Sequence, residues 1–149
     1  MTPQDIHNTY TISTDPHKMD VEAIYNYLAR SYWAEGRTMA TVEKSLRNSL
    51  NFGVFAGTGA QVGFARVITD YATFAYLADV YILEEHRGKG LSKWLMKTIM
   101  AHPDLQGLRR WSLATRDAHG LYAQFGFTPL PKPEIWMQIF DAEANPPIE

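Results

Sequence analysis

The segment from residue 80 to residue 96 most constrains how this chain folds. Its first residues, Val80-Tyr81-Ile82-Leu83, are typical of an extended apolar strand, and its last third has the spacing of an amphipathic helix. Between them, Gly88 and Gly90 predict a tight turn, because glycine adopts left-handed backbone conformations without steric cost. This order brings unpaired backbone amides and the positive end of a helix dipole to one point. The pattern is typical of a site for phosphate or pyrophosphate.

The glycine spacing excludes the two common nucleotide loops. The Walker loop has a longer interval before its Gly-Lys-Ser/Thr, and the dinucleotide loop has a third glycine or alanine where Lys93 stands. The segment instead resembles the acetyl-CoA pyrophosphate loop of the GNAT acetyltransferases, Arg/Gln-x-x-Gly-x-Gly/Ala, as Arg87-Gly88-Lys89-Gly90-Leu91-Ser92, with Ser92 as a departure. Short glycine turns also occur without a ligand. However, residues 118–127 resemble the family's later signature, a helix that carries a tyrosine and ends at Gly-Phe.

Composition favours one soluble domain over residues 1–149, since 46% of the residues are hydrophobic. No apolar run is long enough to span a bilayer and no signal-peptide pattern is present, so we expect a cytoplasmic protein without a membrane partner. The lack of cysteine excludes disulfides, thiolate metal sites and an acetyl-cysteine intermediate. A net charge of −2 without blocks of like charge argues against nucleic acid, and the five histidines lack metal-ligand spacing, so we expect no metal.

The order of predicted elements indicates an α/β (α+β) fold. Together with the resemblance, it implies the GNAT fold: a mixed, largely antiparallel sheet of about seven strands flanked by about four helices. The predicted helices before the glycine turn cover residues 21–31 and 42–50. The predicted strands cover residues 10–13, 52–56, 61–68, 73–83, 110–114 and 134–140, and the second and third of them form a hairpin. Residues 144–149 are expected to fray.

The resemblance also implies how acetyl-CoA is held. In the family, the main chain of the strand before the loop pairs with the pantetheine arm, and the loop amides hold the pyrophosphate. Arg87 and Lys89 can add charge to that contact or be solvated loop cations, and Arg87 is the one that matches the pattern. Thr115 stands where many members have an asparagine that touches the cofactor arm. The cofactor-binding residues implied in this way are Val80, Tyr81, Ile82, Arg87, Gly88, Lys89, Gly90, Leu91, Ser92 and Thr115.

Three residues are candidates for catalysis. Tyr122 matches the family's tyrosine that donates a proton or hydrogen bond to the departing thiolate, and the alternative is a core tyrosine packed on its neighbours. The general base is less defined, because Ala78 stands where polyamine-acetylating members carry a glutamate. Asp79 is the nearest substitute, and it could equally be a structural carboxylate paired with a backbone group or an arginine. His119, three residues before Tyr122 on the same helix, is a reserve candidate for proton transfer.

The acceptor site is expected between the early helices, the strands around Arg66 and Tyr76, and the loop after residue 114. Aromatic and acidic side chains there predict a pocket for an amine. The candidate substrate-binding residues are Tyr32, Trp33, Asp70, Phe74, Tyr76 and Asp117. We therefore predict an N-acetyltransferase that passes the acetyl group directly to a primary amine of a small molecule. The alternatives are a protein or peptide acceptor and a non-catalytic CoA sensor, and a homodimer is expected because family members often pair.

Overall fold

The computed structural model describes residues 2–144. Five α-helices and five strands make up its regular structure. The helices are α1 (Pro3–Thr9), α2 (Val21–Ala29), α3 (Met39–Arg47), α4 (Leu91–Met100) and α5 (His119–Ala123). The strands are β1 (Tyr10–Ser13), β2 (Leu50–Ala56), β3 (Gln61–Thr69), β4 (Phe74–Ile82) and β5 (Arg110–Ser112).

The five strands form a single sheet in the order β1-β2-β3-β4-β5. The first four strands are antiparallel neighbours, and β5 joins β4 in parallel. The β2–β3 connection is the hairpin predicted from the sequence: the Ala56 amide donates to the Ala60 carbonyl at 2.9 Å. Gly59 adopts φ +93° in this turn. The parallel β5 is possible because α4 supplies the crossover that such a pair requires.

Helices cover both faces of the sheet. On one face, Leu95 and Ile99 of α4 are fully buried against strand residues such as Phe52 and Val67. On the other face, residues from α2 and α3 pack around Phe64. Successive strand residues therefore pack against helices on opposite faces of the sheet. Both faces are buried, so the strand sequences are almost continuously apolar.

Several boundaries differ from the sequence prediction. The sheet has five strands among residues 2–144 instead of about seven. Residues 134–140 are not a strand. The first two belong to a single helical turn, Pro133–Ile135, and the others have no partner strand in the described chain. Prolines at positions 129, 131 and 133 lack amide hydrogens, which prevents a continuous ladder on entering this segment. The predicted frayed end after Ala144 lies outside the described residues.

The helices also differ in number and extent. Helix α1 was missed, although Thr2 and Asp5 form a reciprocal capping box with Pro3 at the first helical position. The helix predicted over residues 21–31 ends at Ala29, and α3 begins three residues before the predicted start because Thr38 caps it. The apolar periodicity located both helices, whereas hydrogen bonds at the caps decide where they begin and end.

Candidate active site

Strand β4 loses its partner halfway along one edge. It pairs with β5 only through Phe74, Ala75 and Tyr76. Beyond Tyr76, β4 continues to Ile82 while β5 ends at Ser112. The two strands therefore leave a V-shaped opening, in which the outer main-chain groups of residues 77–82 have no strand beside them within the described chain. Such an edge can accept an extended ligand as an added strand.

A backbone irregularity in β4 lies at this opening. The pairing between β3 and β4 shifts register between Phe64 and Arg66, and Asp79 adopts φ +55° there. This conformation is unusual for a residue with a side chain, although aspartate is among those that tolerate it best. The bulge re-aims the carboxylate, so that its direction does not follow from strand alternation.

The Asp79 carboxylate is the centre of a side-chain cluster. Trp33 Nε1 donates to Asp79 Oδ1 at 2.9 Å. Arg37 Nη1 and Arg66 Nε donate to Asp79 Oδ2 at 3.0 Å and 2.8 Å. Arg66 also donates from Nη1 to Ser49 Oγ at 3.2 Å. Only 2% of the Asp79 side chain is exposed, so the two guanidinium groups are what makes a buried carboxylate tolerable. We call Trp33, Arg37, Arg66 and Asp79 the arginine cluster.

A cavity of about 470 Å³ lies between the arginine cluster and the V-shaped opening. Residues 77–80 form one wall and residues 113–118 form the opposite wall. Of the predicted site residues, it brings together Tyr32, Trp33, Tyr76, Asp79, Val80, Thr115, Asp117 and Tyr122. At the mouth, the Arg116 guanidinium lies 3.9 Å from the centre of the Tyr32 ring. The volume falls within the usual range for a small-molecule pocket, roughly 300–1,000 Å³.

Tyr122 lies on α5 and lines this cavity, although only 8% of the residue is exposed. Burial raises the pKa of the Tyr122 hydroxyl to about 12, and nearby Tyr32 adds to the effect. The phenol therefore stays protonated at neutral pH and is available as a donor. The Tyr122 ring also packs edge-on against Phe127, with 6.0 Å between the ring centres. The side chain therefore packs in the core, as the alternative interpretation expects, and also lines the cavity, as a catalytic role requires.

The glycine turn has the conformation that the sequence predicts. Gly88 adopts φ +77° and Gly90 φ +84°, and Gly90 is the N-cap of α4. No side chain caps this helix end. The first amides of α4 therefore face a cavity of about 420 Å³, lined by Ile82, residues 86–88, residues 90–93 and Leu121. This geometry suits an anion.

Both cationic side chains of the turn, Arg87 and Lys89, donate hydrogen bonds to other groups of the protein. Arg87 donates from Nε to the Ile82 carbonyl at 2.9 Å and from Nη2 to the Tyr27 hydroxyl at 2.9 Å. Lys89 Nζ donates to the Tyr10 hydroxyl at 3.1 Å. Both residues therefore brace the turn, and the backbone amides are the groups directed at the cavity.

Other predicted site residues lie away from the main cavity. Asp70 caps the β3–β4 turn, where its hydrogen bond with the Thr73 side chain, together with backbone amides, holds the pKa of Asp70 well below its usual range. Phe74 and His119 line a neighbouring cavity of about 720 Å³, which shares Tyr76, Thr115 and Tyr122 with the first. The Tyr81 ring stacks on Tyr27 in the core, so Tyr81 can offer only its main chain.

Arg37 is the cluster residue that sequence reasoning missed. It lies in the segment between α2 and α3, directly before the Thr38 cap, and nothing local distinguishes it from a solvated arginine. In the described residues 2–144, no helix is long and apolar enough to cross a membrane. The same residues contain no group of three or more His, Asp or Glu side chains placed to hold a metal ion.

Comparison with known proteins decides the family. Residues 48–129 match the family model described as the acetyltransferase (GNAT) domain. The chain belongs to the GNAT acetyltransferase family. A candidate acetyltransferase of Gibberella zeae is 36% identical, with 77% of this chain and 76% of that protein covered.

Solved GNAT structures have the same architecture. The crystal structure of a GNAT-family protein from Xanthomonas campestris is 53% identical, with a TM-score of 0.86 over 89% of this chain and 93% of that one. A candidate acetyltransferase from Clostridium acetobutylicum, solved with acetyl-CoA, shares the fold at 12% identity and a TM-score of 0.63, with 88% of this chain and 94% of that one covered. The GNAT fold predicted from the sequence is confirmed, and so is its class of activity, acetyl transfer, for which the family uses acetyl-CoA.

Proposed function

We propose that this GNAT enzyme transfers the acetyl group of acetyl-CoA directly to a primary amine of a small molecule. The observation that carries the proposal is the V-shaped opening, which runs from the glycine turn to Tyr122. The pantetheine arm would pair with the outer main-chain edge of residues 80–82, apart from the Ile82 carbonyl that Arg87 already binds, and the amides at the start of α4 would hold the pyrophosphate. These residues fit acetyl-CoA because β5 does not extend beside residues 77–82 and no side chain caps the start of α4.

Tyr122 is assigned as the proton donor. Its hydroxyl is neutral at physiological pH because its pKa is raised to about 12 by burial. A neutral phenol can donate a hydrogen bond to the sulfur as negative charge develops there. Direct attack by the amine is favoured, because the chain has no cysteine to carry the acetyl group. The enzyme then contributes mainly orientation of the thioester and the amine.

We assign Asp79 to the architecture of the cavity. Both of its oxygens already accept hydrogen bonds from the arginine cluster. Protonation of this carboxylate would weaken two contacts with guanidinium groups, so the base role is unfavourable on geometric grounds. His119 is exposed and lines the neighbouring cavity, and it remains the candidate for accepting the amine proton.

A small-molecule acceptor is favoured over a peptide by the size of the cavity and by a contact that bridges its mouth. Tyr32 reaches across its mouth, since the Tyr32 hydroxyl accepts a hydrogen bond from the Arg116 amide at 3.2 Å. This contact joins the segment after α2 to the loop before α5. A peptide groove would need these two segments to stand apart. A small acceptor would fit the cavity of about 470 Å³ that this contact borders.

The proposal is tested by acetyl-CoA binding and turnover in the same samples. Isothermal titration calorimetry measures binding, and a thiol reagent follows CoA release with small amines, peptides with free N-termini and lysine peptides. Binding with release on small amines is the expected result. Release only with peptides would move the acceptor to the protein class. Binding without release on any amine would support a sensor, and a lack of binding would contradict the assignment of the glycine turn.

We also propose a homodimer formed through residues 135–140. Met137 is 96% exposed and Ile139 is 101% exposed, although both are apolar. The neighbouring β5 pairs with β4 on one side only within the described sheet. An exposed apolar segment beside a free strand edge is suited to pairing with a second copy of the chain.

Light scattering after gel filtration tests the dimer. The wild type should have twice the monomer mass of 16.9 kDa. The double variant Met137→Lys/Ile139→Lys should have the monomer mass, because two charges cannot be buried in an apolar contact. Glu143→Lys changes the net charge by the same amount just beyond this segment and should stay dimeric. A wild-type protein that is monomeric at high concentration would overturn the proposal.

A further inference from the structure

We propose that the acceptor carries an anionic group, a carboxylate or a phosphate, close to its amine, and that Arg37 and Arg66 bind it. This inference rests on the proposed amine acetyltransferase function and names the class of its acceptor. The observation that carries it is the imbalance of charge in the arginine cluster. Two guanidinium groups converge on one carboxylate at the inner end of the cavity.

The cluster leaves an excess of positive charge inside the cavity. Asp79 balances one of the two arginines, and Arg116 at the mouth faces Asp117 at 3.5 Å. Arg37 and Arg66 are mostly buried, with 16% and 11% of their side chains exposed, so solvent screens their charge only partly. An uncompensated buried cation is costly, and an anionic ligand that fills the cavity would relieve that cost.

Both arginines also have N–H donors that no protein group in the described chain accepts. A guanidinium offers five N–H donors in a fixed fork. In the described residues 2–144, Arg37 donates to protein only through Nη1, and Arg66 donates only through Nε and Nη1. The remaining donors belong to two residues that both line the cavity. Carboxylates and phosphates are the groups that such a fork recognises with two parallel hydrogen bonds.

Asp79 fixes the position of both arginines instead of competing for them. Its carboxylate is anchored by the bulge in β4 and by the Trp33 indole. Arg37 is held through Nη1, and Arg66 is held through Nε and Nη1, so each presents its remaining nitrogens in a defined orientation. An amine without an acidic group would gain nothing from this positive charge, whereas an amine with an acidic group would be oriented by it, with the amine directed towards Tyr122 and the opening.

The test uses pairs of acceptors that differ by the anionic group. O-phosphoethanolamine is paired with ethanolamine, and free L-amino acids are paired with their carboxamides, so that the phosphate and carboxylate sources are separated. Each pair is assayed by CoA release with the wild type and Arg37→Gln. This variant leaves Asp79 paired with Arg66, and acetyl-CoA affinity and the melting temperature verify that the protein is folded. Arg47→Gln, at an exposed position on α3 outside the cavity, is the matched control.

The expected result is a higher kcat/KM for the anionic member of at least one pair. Arg37→Gln should lower kcat/KM for that acceptor by about 10- to 100-fold, mainly through KM, and should lower it much less for the paired acceptor that lacks the anionic group. Arg37→Lys, which keeps the charge but not the fork, should be intermediate. Equal kcat/KM values for acceptors with and without the anionic group would overturn this inference alone. An equal loss of kcat/KM on both kinds of acceptor in Arg37→Gln would do the same. No transfer to any amine would overturn the proposed function as well.

Discussion

The glycine turn and the arginine cluster are two parts of one site that are built in opposite ways. The turn offers backbone amides at the start of α4, and its conformation is set by Gly88 and Gly90 within a few residues. The cluster offers side chains from distant segments, and Arg37 is 42 residues from Asp79 in the sequence. In our proposal, the first region would bind the pyrophosphate of acetyl-CoA, which is the same in every reaction, and the second would bind the acceptor, which differs between enzymes.

This difference explains why the two regions should tolerate mutation differently. The amides of the turn depend on backbone conformation, and side-chain changes there act mainly through charge or strain. The arginine cluster depends on mutual compensation of buried charges, so the loss of Asp79 leaves two arginines without their counter-charge. Substitutions that separate stability from affinity can therefore test the comparison.

The largest expected effect is on stability, from Asp79→Asn. The amide keeps the shape and tolerates φ +55°, but both arginines lose their counter-charge. We expect the free energy of unfolding to fall by about 3 kcal/mol, measured by urea denaturation. Asp117→Asn removes an exposed carboxylate from the same cavity and should have little effect. If Asp79→Asn is as stable as the wild type but inactive, Asp79 is the general base after all.

The same contrast shows how much the sequence could predict. Strands β1 to β4, the hairpin and α4 follow from local alternation, glycine positions and helical spacing. The fold class and the glycine turn were therefore accessible. The arginine cluster was not, because its geometry depends on a bulge that turns Asp79 and on the segment that brings Arg37 to it. Alternation alone also wrongly predicted a strand at residues 134–140, since a strand needs a partner as well as a pattern.

The next largest effect is on turnover, from Tyr122→Phe. Removal of the hydroxyl takes away the proposed proton donor, so kcat should fall about 100-fold or more while the dissociation constant of acetyl-CoA stays the same. Steady-state kinetics and calorimetry measure the two quantities. Tyr71→Phe, at an exposed position in the β3–β4 turn, is the control and should keep full activity. Full activity in Tyr122→Phe would leave this residue with a packing role only.

A smaller effect is expected on acetyl-CoA affinity, from Ser92→Glu. A glutamate in the first turn of α4 interacts favourably with the helix dipole, so the melting temperature should stay the same or rise slightly. The same charge faces the cavity of the turn and would repel the pyrophosphate, and we expect the dissociation constant to rise about 10- to 100-fold. Ser92→Ala should bind normally. Unchanged affinity in Ser92→Glu, measured by calorimetry, would place the pyrophosphate elsewhere.

The smallest effect concerns an ion pair between the end of α2, which leads to the arginine cluster, and the turn that leads to Gly88 and Gly90. Arg30, at the end of α2, forms a two-point ion pair with Glu84, in the turn that precedes the glycine loop, at 2.7 Å and 3.0 Å. This hydrogen-bonded arginine lowers the pKa of Glu84 from 4.5 to about 2. Because the folded-state pKa is depressed, the ion pair stabilises the protein above pH 4.5, and this contribution is lost as the pH falls towards 2.

Glu84→Gln should therefore lower the melting temperature slightly at pH 7 and make no difference near pH 2. The effect is small because both side chains are about half exposed. Glu85→Gln, at the adjacent exposed position, is the control and should not change the pH profile. If the two regions are independent, acetyl-CoA affinity and KM for the acceptor stay constant in Glu84→Gln. A change in both constants would mean that this pair transmits the position of α2 to the glycine turn, and the two regions would have to be treated as one unit.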